Sequence, residues 1–187
     1  AICGRDAARL EQARARLLGD VSSEAPGDTK LFAHTCDVLD LAQVAGFAQA
    51  VAARFGRVDV LVNNAGQGRV STFADTDDAA WTDELKLKFF SVIHPTRAFL
   101  PWLEKSGRAA IVNVNSLLAL QPEPHMVATS AARAGAQNLM RSMATEFAPK
   151  GIRVNAILLG LVESGQWRRR FDAREDRAVT WDAWAAE

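Results

Sequence analysis

No tyrosine occurs anywhere in the sequence, so there is no phenol whose proton a site could tune toward neutral pH. Cysteine is almost as scarce. Cys3 and Cys36 each sit in an apolar run that reads as a buried strand, which suits reduced core thiols and argues against a disulfide staple or a metal site. Net charge is also missing: 22 Lys and Arg face 22 Asp and Glu, so no global field attracts nucleic acid or an anionic membrane. No apolar run approaches the roughly 20 residues that span a bilayer, and the N-terminus lacks the basic, then apolar, then small pattern of a signal peptide. Repeats and low-complexity tracts are absent as well. These absences lead us to expect a soluble cytoplasmic protein with no nucleic-acid or membrane partner and no metal.

What is present is enough for one substantial core, since 187 residues are 49% apolar. Ala1 to Cys3 reads as a strand already in progress. Asp6 caps a helix over Ala7–Leu18, and residues 19–28 form a polar turn. Leu31–Cys36 reads as a second strand, Leu41–Phe55 as a helix stopped by Gly56, and Val58–Val62 as a third strand. The next helix, Asp78–Leu103, carries Trp81, Leu85, Phe89, Val92, Phe99 and Leu103 at helical spacing, with a kink expected from Pro95 near Ser91. Ala109–Val114 is a fourth strand. A helix over Ala128–Phe147, rich in small residues, leads to a strand over Ile152–Ile157. Strands alternate with helices throughout, which predicts a parallel, doubly wound α/β sheet covered on both faces. Residues 163–187, with Trp167, Trp181 and Trp184 among charges, read as one or two surface helices.

Alternation alone leaves function open, because that architecture hosts many chemistries. Three motifs narrow it. Asn63-Asn64-Ala65-Gly66 follows one strand, Asn113-Val114-Asn115-Ser116 ends the next, and Arg153-Val154-Asn155-Ala156 lies in the last. In this order and spacing they resemble the short-chain dehydrogenase/reductases over residues 1 to about 164. The resemblance implies a Rossmann-type, three-layer α/β/α domain over 1–187 whose helices in 163–187 form a substrate lid. It also implies strand order 3-2-1-4-5-6-7, in which the first strand here matches the family's second. The fold is therefore expected to be incomplete at both ends. The glycine-rich first unit and the seventh strand are not in the sequence, so two strand edges should lack neighbours, as in a fragment of a longer product.

The same resemblance assigns the cofactor end. Where NAD-preferring members carry an acid, this sequence reads Gly4-Arg5; an arginine fork pairs with the 2′-phosphate of NADP, so NADP is favoured over NAD. Arg5 as a solvated loop charge is the alternative. Asp37 and Val38 match the family's adenine contacts, although Asp37 reads equally as a helix N-cap unless Asp40 takes that place. Asn63, Ala65 and Gly66 match the turn beside the cofactor ribose. Gly160, Val162 and Ser164 lie in the stretch that holds the nicotinamide carboxamide, with Leu159 where proline is usual.

At the catalytic end the family uses asparagine, serine, tyrosine and lysine. Ser116 matches the serine, Thr129 and Arg133 stand where tyrosine and lysine are expected, and Lys88 occupies the asparagine position. An alkyl hydroxyl such as Thr129 can donate a hydrogen bond but cannot act as tyrosinate. Arg133 stays charged and can bind ribose hydroxyls. Lys88, on the inward stripe beside Arg133, should have its pKa pushed down and can serve as a replacement acid; snorkelling to solvent or pairing with a carboxylate is the competing reading. His125 is a second candidate acid against an ordinary loop histidine, while His34 and His94 read as structural. Arg168, Arg169 and Arg170 beside Trp167 either guide an anionic substrate or form a solvated face. The expectation is a hydride-transferring NADP oxidoreductase acting on a small-molecule carbonyl or alcohol. A catalytically silent, cofactor-binding relative is the alternative, and an inert structural fragment a third. The long helices 78–103 and 128–147 would pair across a two-fold axis into a homodimer or homotetramer.

Overall fold

The structure is a computed structural model that describes residues 1–20, 31–160, 162, 165–174 and 180–186. It contains β1 (Ile2–Gly4), α1 (Ala7–Asp20), β2 (Ala33–Thr35), α2 (Leu41–Phe55) and β3 (Val60–Asn63). There follow α3 (Asp78–Leu103), β4 (Ala110–Ser116), α4 (Val127–Phe147), β5 (Arg153–Leu159), α5 (Gly165–Asp172) and α6 (Trp181–Ala186). The element order is the one the sequence predicts, with ends displaced by a few residues. Caps explain several of those ends. Asp6 accepts from Arg9 N at 3.0 Å, and Asp40, not Asp37, caps α2 by accepting from the amides of Ala42 and Gln43 at 2.9 and 3.0 Å. Gly56 stops α2 at φ 71°, a left-handed conformation that a residue with a Cβ rarely adopts. Helix α3 runs unbroken through Pro95 and Pro101.

All strand pairs are parallel. They form two sheets, β1-β2 and β3-β4-β5, and no strand joins β1 to β3 among the described residues. The two sheets share one core. Phe47 of α2 meets Phe99 of α3 edge-on with ring centroids 5.6 Å apart, and Cys36, Val44, Val92, Ile111, Met140 and Ile152 are buried around them. Burying such side chains stabilises by about 1.5–3 kcal/mol each. His34 stacks between Phe32 and Phe47, and the ring of buried His94 lies 3.2 Å from the Val38 carbonyl, so both histidines are structural. Coverage differs from the expected pattern. Buried and exposed residues alternate in β3, and half-buried and exposed ones in β5, leaving Val60, Val62, Ile157 and Leu159 exposed, which shows one sheet face open among the described residues. No helix among them is long and apolar enough to cross a membrane.

Candidate active site

Parallel strands aim all their carboxyl ends the same way, so loops that follow β3, β4 and β5 meet on one rim. There they enclose a cavity of about 380 Å³ lined by Asn63, Ala65, Gly66, Lys88, Ser116, Thr129, Arg133, Gly160 and Val162, among others. Residues far apart in sequence are thus brought together. Arg5, Asp37 and Val38 are not among its walls; they follow the strands of the smaller sheet, where Arg5 lies 3.8 Å from Asp37. Asp37 accepts from Leu39 N at 2.9 Å. Ser164 lies outside the described residues.

Behind the cavity wall, reached through Lys88 and Thr129, lies a cluster that the sequence did not disclose. Glu84, one turn before Lys88 on α3, is 4% exposed and Lys88 is 5% exposed. A single carboxylate oxygen of Glu84, Oε2, accepts from Lys88 Nζ at 3.1 Å and from Thr129 Oγ1 at 2.7 Å. Lys88 also donates to the Gln67 carbonyl. Burial pulls the lysine below its ordinary pKa, Glu84 raises it again, and Arg133 adds to the lowering. Both readings of Lys88 therefore meet: its proton is loosened, and it pairs with a carboxylate.

Thr129 is 0% exposed, and its hydroxyl accepts from Arg69 N at 2.9 Å while donating to Glu84. The hydroxyl thus spends its donor role and its nearest acceptor role inside the protein. The reason is the short side chain. A phenol at this position reaches several ångströms farther than a hydroxyl on Cβ, which stays beside the backbone of the loop that follows β3.

Arg133 donates through Nη1 to Asn115 Oδ1 at 3.2 Å, and Asn115 donates in turn to the Arg133 carbonyl and to Gln137 Oε1 at 3.2 and 3.0 Å. Arg133 Nε is buried without a protein partner, and burial lowers the guanidinium pKa while Glu84 opposes that. Ser116 is half-buried, and its Oγ accepts from Leu118 N at 3.3 Å, leaving its proton uncommitted. Asn63 commits its Nδ2 to structure, donating to Asn113 Oδ1 at 2.8 Å, while its buried Oδ1 has no protein partner. His125 is exposed, lies 3.2 Å from Glu123 and is not a cavity wall. Arg168 lies over the Trp181 ring at 3.9 Å, so that part of the arginine run packs on the surface helices.

These residues fit a nicotinamide nucleotide. A Cβ on Gly66 would meet nothing within 4 Å, and its φ is not left-handed. The chain's own packing does not demand that glycine, and the space beside it is open to a ligand. Arg133 lines the same space, and its buried Nε is an orphaned donor beside it. Glu84 was missed because a lone acid on a helix usually faces solvent; its i, i+4 spacing to Lys88 was the available signal. Asn115 was visible only as part of a motif.

Fold and site together define a Rossmann-type α/β domain with a polar cavity at its carboxyl edge. The chain belongs to the short chain dehydrogenase family, whose model matches residues 1–175. It is similar to a short chain oxidoreductase from Pseudomonas aeruginosa PAO1 described as containing an atypical catalytic center. The NADPH-bound form is 65% identical with a TM-score of 0.86, over 91% of this chain and 65% of that one. The apo form is 64% identical with a TM-score of 0.88, over 97% and 68%. A protein of Streptomyces violaceoruber, named as a ketoacyl reductase of the granaticin polyketide synthase, is 34% identical over 96% of this chain. The 7alpha-hydroxysteroid dehydrogenase of Escherichia coli strain K12 is 33% identical over 70% of this chain. The chain spans 63% and 51% of the lengths of these last two proteins.

Proposed function

We propose that this chain forms most of the cofactor and reaction site of an NADP-linked oxidoreductase that interconverts a carbonyl and an alcohol. The observation that carries the reading is the convergence of Lys88, Ser116 and Arg133 on one cavity with the backbone of Asn64, Ala65 and Gly66. NADPH, when bound, supplies the hydride. Ser116 donates its free proton as a hydrogen bond to the substrate oxygen, and Lys88 delivers a proton to that oxygen as the carbon accepts hydride. An ammonium has three N–H groups, and two are committed to Gln67 and Glu84. The third is the proton source. Arg133 stays cationic, binds ribose hydroxyls through its guanidinium and stabilises developing negative charge on the oxygen. Thr129 holds Glu84 and does not react.

The P. aeruginosa relative, described with NADPH and an atypical centre, supports the cofactor assignment, as does Arg5 with a 71% exposed side chain ready for a 2′-phosphate. Gly160, Val162 and Ser164 would complete the nicotinamide end, helices in 163–187 would cover the substrate, and α3 with α4 would pair two or four copies. The protein would act in the cytoplasm.

The test is a hydride-transfer assay of the full-length protein over a panel of ketones and alcohols, native against Lys88→Met. Turnover in the native protein and a loss of about a hundredfold or more in the variant is expected if Lys88 is the proton donor. Equal turnover removes Lys88 from the chemistry. The committed Thr129 hydroxyl favours a second reading, a cofactor-binding but silent relative, which NADPH binding without turnover across the panel would support.

A further inference from the structure

The reaction proposed above needs Lys88, yet nothing in that reading needs Glu84. Its burial is costly. Removing two charges from water costs several kcal/mol per ion, and an apolar pair of similar volume commonly serves stability as well or better. A buried acid that shares one oxygen between a lysine and a threonine from another helix therefore calls for a reason beyond packing.

The surroundings of Lys88 supply it. On its own helix the lysine faces Glu84. From α4 it faces the Arg133 guanidinium, a second cation. From the loop after β3 it meets only the neutral carbonyl of Gln67, since the Arg69 guanidinium in that loop turns to Asp83 at 3.6 Å. Without Glu84, two cations would share a cavity poor in water, and the lysine is the one able to lose its proton. An acid that had already lost its proton would be useless for carbonyl reduction. Direction matters too, because an ammonium rotates freely unless its other donors are held.

We propose that Glu84 is a positioning residue for Lys88: through Oε2, held in place by Thr129 Oγ1, it keeps the lysine protonated and leaves one N–H for the cavity. The inference rests on the reading of Lys88 as proton donor, but it makes a claim about the free protein that stands apart from turnover.

The experiment follows the Lys88 side-chain resonance by NMR in cofactor-free full-length protein labelled on lysine, assigned by its loss in Lys88→Met. Native protein, Glu84→Gln and Glu84→Asp are titrated. In Glu84→Gln the lysine should titrate lower than in native protein by about one pH unit or more, as expected when an opposite charge within hydrogen-bond distance is removed. Glu84→Asp, which retains the charge at greater distance, should fall between. A lysine that titrates unchanged in folded Glu84→Gln overturns the proposal. If that variant fails to fold, an unchanged titration in Glu84→Asp overturns it equally. In the reduction assay the alkaline limb of the kcat profile should move down with the resonance while KM changes less than threefold; a KM effect with an unmoved limb also overturns it. A shifted resonance with no turnover in any protein supports the coupling and fails the oxidoreductase reading instead, so the two are separable.

Discussion

Replacing Thr129 by valine separates a hydroxyl that holds the site from one that reacts in it. The substitution keeps shape and volume at a position with no exposure, so no cavity term arises. It removes the 2.7 Å bond to the Glu84 carboxylate and the acceptor, 2.9 Å away, of the Arg69 amide. A hydrogen bond to a charged group is worth about 1.5–3 kcal/mol, and an amide that must find water instead costs about 1 kcal/mol more. The expected destabilisation is about 3 kcal/mol, or a fall in Tm of about 6–12 °C for a domain of this size. Thermal unfolding with urea midpoints on the full-length protein measures it, with Thr129→Ser as the control that keeps both bonds. Hydride transfer by the folded variant should fall less than about tenfold, since Lys88 and the charge of Glu84 are both retained although Glu84 is held less firmly. A Tm within about 1 °C of native, combined with a loss of activity of about a hundredfold or more, would show that the hydroxyl reacts and that its bonds contribute little.

Three further outcomes follow from groups outside that cluster. Arg5→Asp should weaken NADPH binding by about tenfold or more while NADH binding changes little, because one charge-assisted fork is lost and a phosphate is repelled; fluorescence titration measures both, and parallel losses would detach Arg5 from the 2′-phosphate. Arg57, then Ser106 and Arg108, hold the Asp59 carboxyl well below the usual carboxylate range. Its folded pKa is depressed, so its contribution is present above the ordinary carboxylate pKa and is lost as pH falls through and below it. Asp59→Asn should therefore narrow the difference in urea midpoint between pH 7 and pH 3, and identical acid slopes would remove Asp59 from acid unfolding. Burial pushes the Cys36 thiol up to about 12, with Cys3 adding to the shift. At pH 8 Cys36 should react with a thiol reagent only on unfolding, and rapid labelling in the native state would contradict its burial.

The fold was legible because its signals are local. Apolar strands, the Asp40 cap and the Gly56 stop each act within a few residues, and alternation of the elements fixes the parallel class. Strand ends were less legible: β2 keeps only Ala33–Thr35 of the run from Leu31 to Cys36 because pairing with the short β1 ends there. Two of the three family motifs located the cavity, since Asn63-Asn64-Ala65-Gly66 and Asn113-Val114-Asn115-Ser116 each close a strand at the same rim, whereas Arg153-Val154-Asn155-Ala156 opens β5. What stayed hidden was how polar groups divide their bonds. Thr129 Oγ1 accepts from the backbone amide of Arg69, 60 residues away, and a backbone amide carries no side-chain signature.

The missing tyrosine and the buried glutamate are two sides of one electrostatic problem. A phenol that gives up a proton becomes an anion, and a neighbouring cation stabilises it. An ammonium that gives up a proton becomes neutral, so the neighbouring cation now helps it leave, and the danger is that it leaves before substrate arrives. Burial of Lys88 creates that danger, Arg133 beside it adds to it, and Glu84 opposes both. Putting a lysine in this cavity therefore calls for an acid next to it, whereas a tyrosine there would be hindered by the same acid. The double variant Glu84→Gln with Lys88→Met follows from this. Lys88→Met alone leaves a buried carboxylate without its cation and should cost about 3–5 kcal/mol. Removing both charges should return most of that loss, measured as urea midpoints in a double-mutant cycle. Equal costs in the single and double variants would mean that the two side chains do not share the charge balance on which the site depends.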